Sequence, residues 1–523
     1  MTDHPRRPAV SPASILSAGR RSADLAALQS DPAVDLLVIG GGVTGAGVAL
    51  DAATRGLSVV LVERCDLAFG TSRWSSKLVH GGLRYLASGA VGIAHESAVE
   101  RDALIRAIAP HLVRPLPQVV PLLPSIGRAD AALTRVGFLA GDALRVAAHT
   151  PGSTLARSRR IDADRVASMA PTVRRDGLRG GLLNWDGQLI DDARLVVAIA
   201  RTAALYGARV ITHCAATDVT GTSALLTDAL TGSSLRLSAR AVVNATGVWS
   251  AGVDASVRLR PSRGTHLVFD ATSFAVDGVG LTAGLTVPVP DSFGRYVFAL
   301  PQADGRVYVG LTDEEAPGDI PDVPVPADGE IDFLLGVINT ALATPLTRAD
   351  IVGSFAGLRP LLESDQGTTA DVSRKHAVLT RADGLVTVVG GKLTTYRRMA
   401  QDAVDAAVEQ SGLPAGPCRT RAIPLVGAGT PAALAAVDAP ARLVARYGTE
   451  AVAVAALADS DPLLARPVAV GTEITGAELV FGAAAEGALD VADLLERRTR
   501  LSLTPAVAER ARAAADRALT AAR

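Results

Sequence analysis

Residues 34–86 read VDLLVIGGGVTGAGVALDAATRGLSVVLVERCDLAFGTSRWSSKLVHGGLRYL. The opening burst, Val34 to Ile39, is apolar and too short for a typical helix, which predicts a buried strand. Gly40, Gly42 and Gly45 follow in G-x-G-x-x-G spacing. Thr44 to Arg55 has helical composition, and Gly56 can stop that helix. Leu57 to Val62 predicts a second buried strand, and it ends on Glu63, 18 residues after Gly45. Gly40 permits a tight turn, Gly42 lets backbone approach a pyrophosphate, and Gly45 lets helix pack closely on strand. The helix N-terminus, opening at Thr44, offers unpaired N–H groups and partial positive charge to phosphates. Glu63 would accept hydrogen bonds from a ribose diol. The glycine spacing alone is a weak signal. Strand, glycines, helix, second strand and terminal acid in one run point to a bound dinucleotide. They do not choose between NAD and FAD.

The choice comes from Gly70-Thr71-Ser72-Arg73-Trp74-Ser75-Ser76-Lys77-Leu78-Val79-His80-Gly81-Gly82-Leu83-Arg84-Tyr85-Leu86. This run resembles the signature of the FAD-dependent, aerobic-type, quinone-linked glycerol-3-phosphate dehydrogenases. In that family the glycines and hydroxyls of the run lie under the flavin and its phosphates. Further along, Asn244-Ala245-Thr246-Gly247-Val248-Trp249 resembles the family turn that returns to the FAD, and Arg263-Gly264-Thr265-His266 resembles its RGxH turn. Ser354–Pro360 resembles the segment ending in G-x-R-P, here with Arg359, and Ser373-Arg374-Lys375-His376 resembles its SRxH segment. Gly390-Gly391-Lys392-Leu393-Thr394-Thr395-Tyr396-Arg397 matches GGKLTTYR. Phe298–Pro301 and Val309–Asp313 resemble two strands of the substrate cap, but Gln302 stands where the family has tryptophan and Leu311 where it has threonine.

The resemblance runs from about residue 34 to 501 and implies an α/β fold. Its parts are a Rossmann-like FAD-binding domain of the glucose-inhibited/D-amino-acid-oxidase type, an antiparallel-sheet substrate cap and a C-terminal helical domain. The expected division is a tail over 1–33, a discontinuous FAD-binding domain over 34–120, 180–254 and 351–410, a cap over 121–179 and 255–350, and the helical domain over 411–523. The implied reaction, in glycerol metabolism, is oxidation of sn-glycerol 3-phosphate to dihydroxyacetone phosphate. Hydride passes to flavin N5 and electrons then pass to a quinone pool.

The residues implied at the cofactor are Gly40, Gly42, Thr44, Gly45, Glu63, Thr71, Ser72, Ser75, Ser76, Lys77, His80, Gly81, Gly82, Gly247, Gly391, Lys392, Leu393 and Thr394. A dianionic phosphate needs cations with fixed donors, and arginine offers a planar fork. Arg84, Tyr85, Arg374 and Thr395 are expected at the substrate, and His266, Arg359 and Lys392 at the chemistry. Between His266 and Arg359 as the group that assists proton removal, an arginine base needs a strongly perturbed environment, which favours His266.

Composition bounds the rest. The chain has 523 residues, 48% of them apolar and 20% charged, with a formal charge of −1. That describes a multidomain globular protein and argues against a broad nucleic-acid surface. Cys65, Cys214 and Cys418 are scattered and lack metal-ligand spacing, so no metal is expected and a reduced, cytoplasmic setting fits. No apolar run is long enough to cross a bilayer. Peripheral contact with the inner face of the cell membrane follows from the quinone, and a homodimer is an allowed arrangement. Asp191-Asp192 reads as a helix N-cap and first-turn acid. His95, Glu96, Glu100 and Arg101 are expected on a mostly solvated helix face, and so is the basic cluster Arg497–Arg500. Three other readings stay open: a glycerol-3-phosphate oxidase that uses oxygen, another FAD-dependent alcohol or amine oxidoreductase, and, from a different class, a non-catalytic dinucleotide-binding protein.

Overall fold

The computed structural model describes residues 10–82, 90–290, 292, 294–363 and 376–522. A helix at Ala18–Ser30, capped by Ser17, leads into the first strand, Ala33–Ile39. The helix Val43–Thr54 and the strand Val59–Val62 complete the predicted unit. The first strand pairs in parallel with Val59–Val62 on one side and with Ser234–Asn244 on the other. Ile39 therefore stands beside both Val62 and Asn244, and three strands end together at one edge of the sheet. Ligands of open α/β sheets bind beyond such carboxyl ends.

Among the described residues this sheet has eight strands. The strand Val386–Val389 extends it, pairing in parallel with Ser234–Asn244. The helix Val43–Thr54 is buried along nearly its whole length. Its neighbours are the helices Asp192–Leu205 and Tyr396–Ser411. A methyl group on Gly47 would stand 2.9 Å from Tyr396 Cδ2, so the absence of a side chain sets how closely two of these helices pack.

A second sheet, of ten strands among the described residues, carries the polar end of the site. Ser262–Asp270 pairs antiparallel with Arg306–Gly310 and with Ile351–Arg359, which places His266 beside Gly310 and Phe355. The proline-interrupted stretch Val113–Pro121 is a strand of this sheet, antiparallel to Gly181–Leu189. Its prolines are tolerated because the pairing on its other side covers only Gln118 and Val119, beyond Pro115 and Pro117. Strands 113–121, 181–189 and 351–359 thus share one sheet with strands 262–270, 296–301 and 306–310.

Two expectations are overturned. Glu100 and Arg101 are buried, because the helix Val91–Ala103 lies beneath the site rather than outside it. Glu100 accepts from Arg397 Nε and Nη2 at 2.7 and 2.6 Å, and Arg101 Nη1 donates to Asp186 at 2.6 Å. Arg497, Arg498 and Arg500 are 3%, 0% and 7% exposed, so the basic cluster is interior. Charges this deep persist only when paired, and Asp66, which takes both Arg497 and Arg498, lies far away in sequence.

Candidate active site

Backbone geometry makes the glycine turn a cradle. Gly40 has φ +110°, and a Cβ there would lie 2.6 Å from the carbonyl oxygen of Ala245. A Cβ on Gly45 would lie 1.9 Å from the oxygen of Gly40. Neither position admits a side chain. Gly42 caps the helix, and the next N–H, of Val43, donates to Ser72 Oγ at 2.9 Å. Glu63 accepts from the N–H of Gly41 at 2.6 Å and of Cys65 at 2.9 Å, while burial pushes its carboxyl up.

From this turn one cavity of about 1030 Å³ runs to the second sheet. That is the upper end of the range for ligand sites, enough for a dinucleotide with a small substrate beside it. Its wall includes Gly40, Gly42, Thr44, Glu63, Thr71, Ser72, Ser75, Ser76, His80, Gly247, His266, Arg359, Gly391, Lys392, Leu393 and Thr394. Cys214, Ala215 and Ala216 line the end near Glu63, where small residues leave room for a base. The tight glycine turn, the helix N-terminus and the acid converge on one end of a sufficiently large space. The residues present therefore fit FAD.

Some expected residues stand behind the wall. Lys77 is 2% exposed and its ammonium donates to Asp192 Oδ2 at 2.8 Å. The same oxygen accepts from the N–H and Oγ of Ser75 at 2.9 and 2.8 Å. Burial alone would raise the Asp192 carboxyl, but Lys77 and Arg500 outweigh it and hold it below the usual range. Asp191 is the N-cap, accepting from Arg194 N–H, and Asp192 is the first-turn acid, as expected. Asp192 has the added task of fixing the turn that presents Ser75 and Ser76. Gly81 donates its N–H to Asp186 at 3.0 Å, and Arg101 leaves no space for a side chain on it. Gly82 has φ +79° and serves the turn. Thr395 is buried, with its hydroxyl on the carbonyl of Lys392 at 3.3 Å, so it shapes the Lys392 turn instead of facing the substrate space. Arg84, Tyr85 and Arg374 lie outside the described residues.

The polar end gathers His266, Arg359 and Lys392. His266 is 2% exposed, and its ring stacks on Phe355 with centroids 4.7 Å apart and planes 9° apart. Ser76 Oγ lies 2.7 Å from its Nε2. Burial, then the nearby charges of Lys77 and Arg359, pull its pKa down to about 3, so the imidazole is neutral at physiological pH. Arg359 ends its strand and is held by three acceptors: Ser262 Oγ and Asp313 Oδ1, both at 3.1 Å, and the carbonyl of Thr312 at 3.3 Å. Lys392 donates to Ser97 Oγ at 3.1 Å from the N-terminus of the short turn Leu393–Thr395, which runs into the helix Tyr396–Ser411. Leu311 is in the wall, whereas Gln302 turns its amide onto the carbonyl of Leu300.

Sequence reasoning missed Asp313, Ser262 and Ser97, which aim the cations, and Arg295, a further cation in the wall. Asp313 was within reach, since it closes a cap strand that resembled the family. Ser97 and Arg295 carry no spacing signal.

Comparisons with known proteins agree with this geometry. Residues 35–397 match the family model described as FAD dependent oxidoreductase, and residues 418–522 match that of the C-terminal domain of alpha-glycerophosphate oxidase. The chain is 60% identical over 502 residues to glycerol-3-phosphate dehydrogenase 1 of Mycobacterium tuberculosis, covering 95% of this chain and 96% of that one. The glycerol-3-phosphate dehydrogenase of Bacillus halodurans complexed with FAD superposes with a TM-score of 0.73 at 27% identity, covering 97% and 93% of the two chains. The L-alpha-glycerophosphate oxidase of Mycoplasma pneumoniae shares the fold, with a TM-score of 0.56 at 18% identity over 75% of this chain and 99% of that one.

Proposed function

We propose the following reaction for this chain, which belongs to the FAD dependent oxidoreductase family and, within it, to the glycerol-3-phosphate dehydrogenases: sn-glycerol 3-phosphate becomes dihydroxyacetone phosphate, and the electrons leave to a membrane quinone. The observation that carries the substrate half is the continuity of one cavity, from the glycine cradle to the cluster of His266, Arg359 and Lys392.

Bound FAD supplies the acceptor for the hydride leaving C2. Gly40, Gly42, Gly45 and the helix N-terminus at Thr44 would hold its pyrophosphate, and Glu63 its ribose. Gly247, Gly391, Leu393 and Thr394 would border its ring. Arg359 is already oriented by Asp313 and Ser262, so it binds phosphate without first losing freedom. Lys392 adds a second cation, and Arg84, Tyr85 and Arg374 join them on the strength of the family motifs. His266, neutral and hydrogen-bonded to Ser76, takes the proton of the C2 hydroxyl. The two negative charges of an incoming phosphate raise the basicity of that imidazole.

A feature of the helix Arg128–Ala147 supports the acceptor. Its exposed residues from Ala132 onward are Ala132, Leu133, Val136, Leu139, Ala143, Val146 and Ala147, an uncharged stripe. Leu133 and Val136 also line the cavity. A continuous apolar surface at a cavity mouth suits an apolar acceptor delivered from a bilayer. No helix among the described residues is long and apolar enough to cross a membrane. We place the chain on the cytoplasmic face as a peripheral protein. The test measures acceptor preference and vesicle binding together. Reduction of a short-chain quinone should outpace peroxide formation, and Val136→Glu with Leu139→Glu should release the protein from anionic vesicles. Fast peroxide formation with no quinone reduction would favour the oxidase reading.

A further inference from the structure

The loop Phe69–Ser76, whose residues other than Arg73 line the cavity, is held from behind by the C-terminal helical domain. Asp66, 0% exposed, accepts from Arg498 Nη1 and Nη2 at 2.8 Å each and from Arg497 Nε at 2.7 Å. Seven positions on, the fully buried Arg73 pairs with Glu496, and Arg500 donates to the carbonyl of Arg73. Arg73 also lies over the rings of Phe69 and Trp74, at 5.2 and 4.3 Å, and Arg500 lies over Trp74 at 5.2 Å. Phe69 and Trp74 are both in the cavity wall. A third tie runs through His213, whose N–H donates to the carbonyl of Cys65 at 2.6 Å and whose Nε2 meets Asp493 at 3.2 Å.

Two partners in this cluster are more than 400 residues apart in sequence, and the charges are desolvated on both sides. Such a network has one low-energy arrangement, because a carboxylate removed from two buried guanidinium groups leaves uncompensated charge behind. We infer that Asp66, through Arg497 and Arg498, is a positioning residue for the FAD site, and that docking of the C-terminal domain and retention of FAD are one coupled equilibrium. Coupling of this kind is reciprocal: whatever loosens the docking of the domain on this loop speeds FAD release, and FAD in turn tightens that docking.

The experiment uses the flavin-loaded protein, with flavin fluorescence after dilution reporting release and thermal unfolding reporting stability. Asp66→Asn keeps the shape and removes the charge, and it should release FAD at least about tenfold faster than wild type. It should also alter the visible circular dichroism of the flavin. Glu496→Gln is milder, because Glu496 is one-third exposed, and should shift both readouts in the same direction by less. The control is Arg442→Gln, which breaks an ion pair internal to the C-terminal domain, with Glu478 at 2.7 Å, and no tie between that domain and the flavin loop. It should lower the unfolding temperature and leave FAD release unchanged. Equal FAD release from wild type and from both loop variants would overturn the inference. So would an Arg442→Gln protein that releases FAD as fast as Asp66→Asn does, because the effect would then be general loosening. Substrate enters none of these readouts.

Discussion

At Gly45 the margin is set by one contact, since a methyl group would meet the Gly40 oxygen at 1.9 Å. Gly45→Ala must therefore part strand and helix, and the purified protein should lack the yellow flavin band. At Gly42 the nearest atom to a Cβ is the movable Ser72 Oγ at 3.1 Å. Gly42→Ala should thus retain some flavin while Gly42→Val loses it, and a fully yellow Gly42→Val protein would contradict the cradle. Arg359 touches the substrate space and no part of the glycine turn. Arg359→Ala should keep FAD and lower kcat/KM by about ten- to hundredfold, the range for one hydrogen bond to a charged group. Undiminished turnover would remove Arg359 from the site. His266 makes a pH statement. Its folded pKa, about 3, lies below the ordinary 6.5, so unfolding takes up a proton between these values. The contribution to stability is present above pH 6.5 and is lost as pH falls toward 3. His266→Gln should therefore flatten the acid side of the stability profile measured by thermal unfolding, while wild type loses stability over that window.

At the scale of elements, legibility followed locality. The strand–turn–helix unit and the helix behind Asp191 were readable because a few adjacent residues decide each of them: glycines at fixed offsets, an N-cap, an apolar run. That the motif residues of the glycine turn and its neighbours gather along one cavity wall was readable for the same reason. Lys77, Gly81, Gly82 and Thr395 lay in the same motifs, but what a side chain faces depends on distant partners. Asp192, Asp186 and the Lys392 carbonyl claim Lys77, Gly81 and Thr395, and a run of adjacent letters does not contain these partners. The arginines at 497–500 were misread for that reason too. A short basic run is ordinarily solvated, and only tertiary structure brings Asp66 to it. His213 ties the same elements and gives a test of opposite sign. The hydrogen bond that its Nε2 donates to the Asp493 carboxylate raises its pKa above 6.5, with the charges of Asp66 and Asp490 adding to this. The pair stabilises below pH 6.5 and weakens as pH rises through the raised value. Hydrogen exchange in residues 489–503 should accordingly speed up on the alkaline side in wild type beyond its intrinsic base dependence, and His213→Asn should lose that excess.

Across the whole molecule, one sheet delivers the glycine turn and the other delivers His266 and Arg359, with the C-terminal domain bracing the loop between them. Fold and cofactor follow from this arrangement together with a 60% identical glycerol-3-phosphate dehydrogenase relative. The central claim is that the cofactor end and the cation end of one cavity serve one substrate. The direct measurement is anaerobic: sn-glycerol 3-phosphate is added to the flavin-loaded protein while the flavin absorption band is followed, with glycerol as the comparison. Bleaching by the phosphate ester and not by glycerol is the expected result, since Arg359 and Lys392 have no counter-charge to bind in glycerol. A yellow protein that neither compound bleaches would contradict the claim while leaving the cradle and its FAD in place.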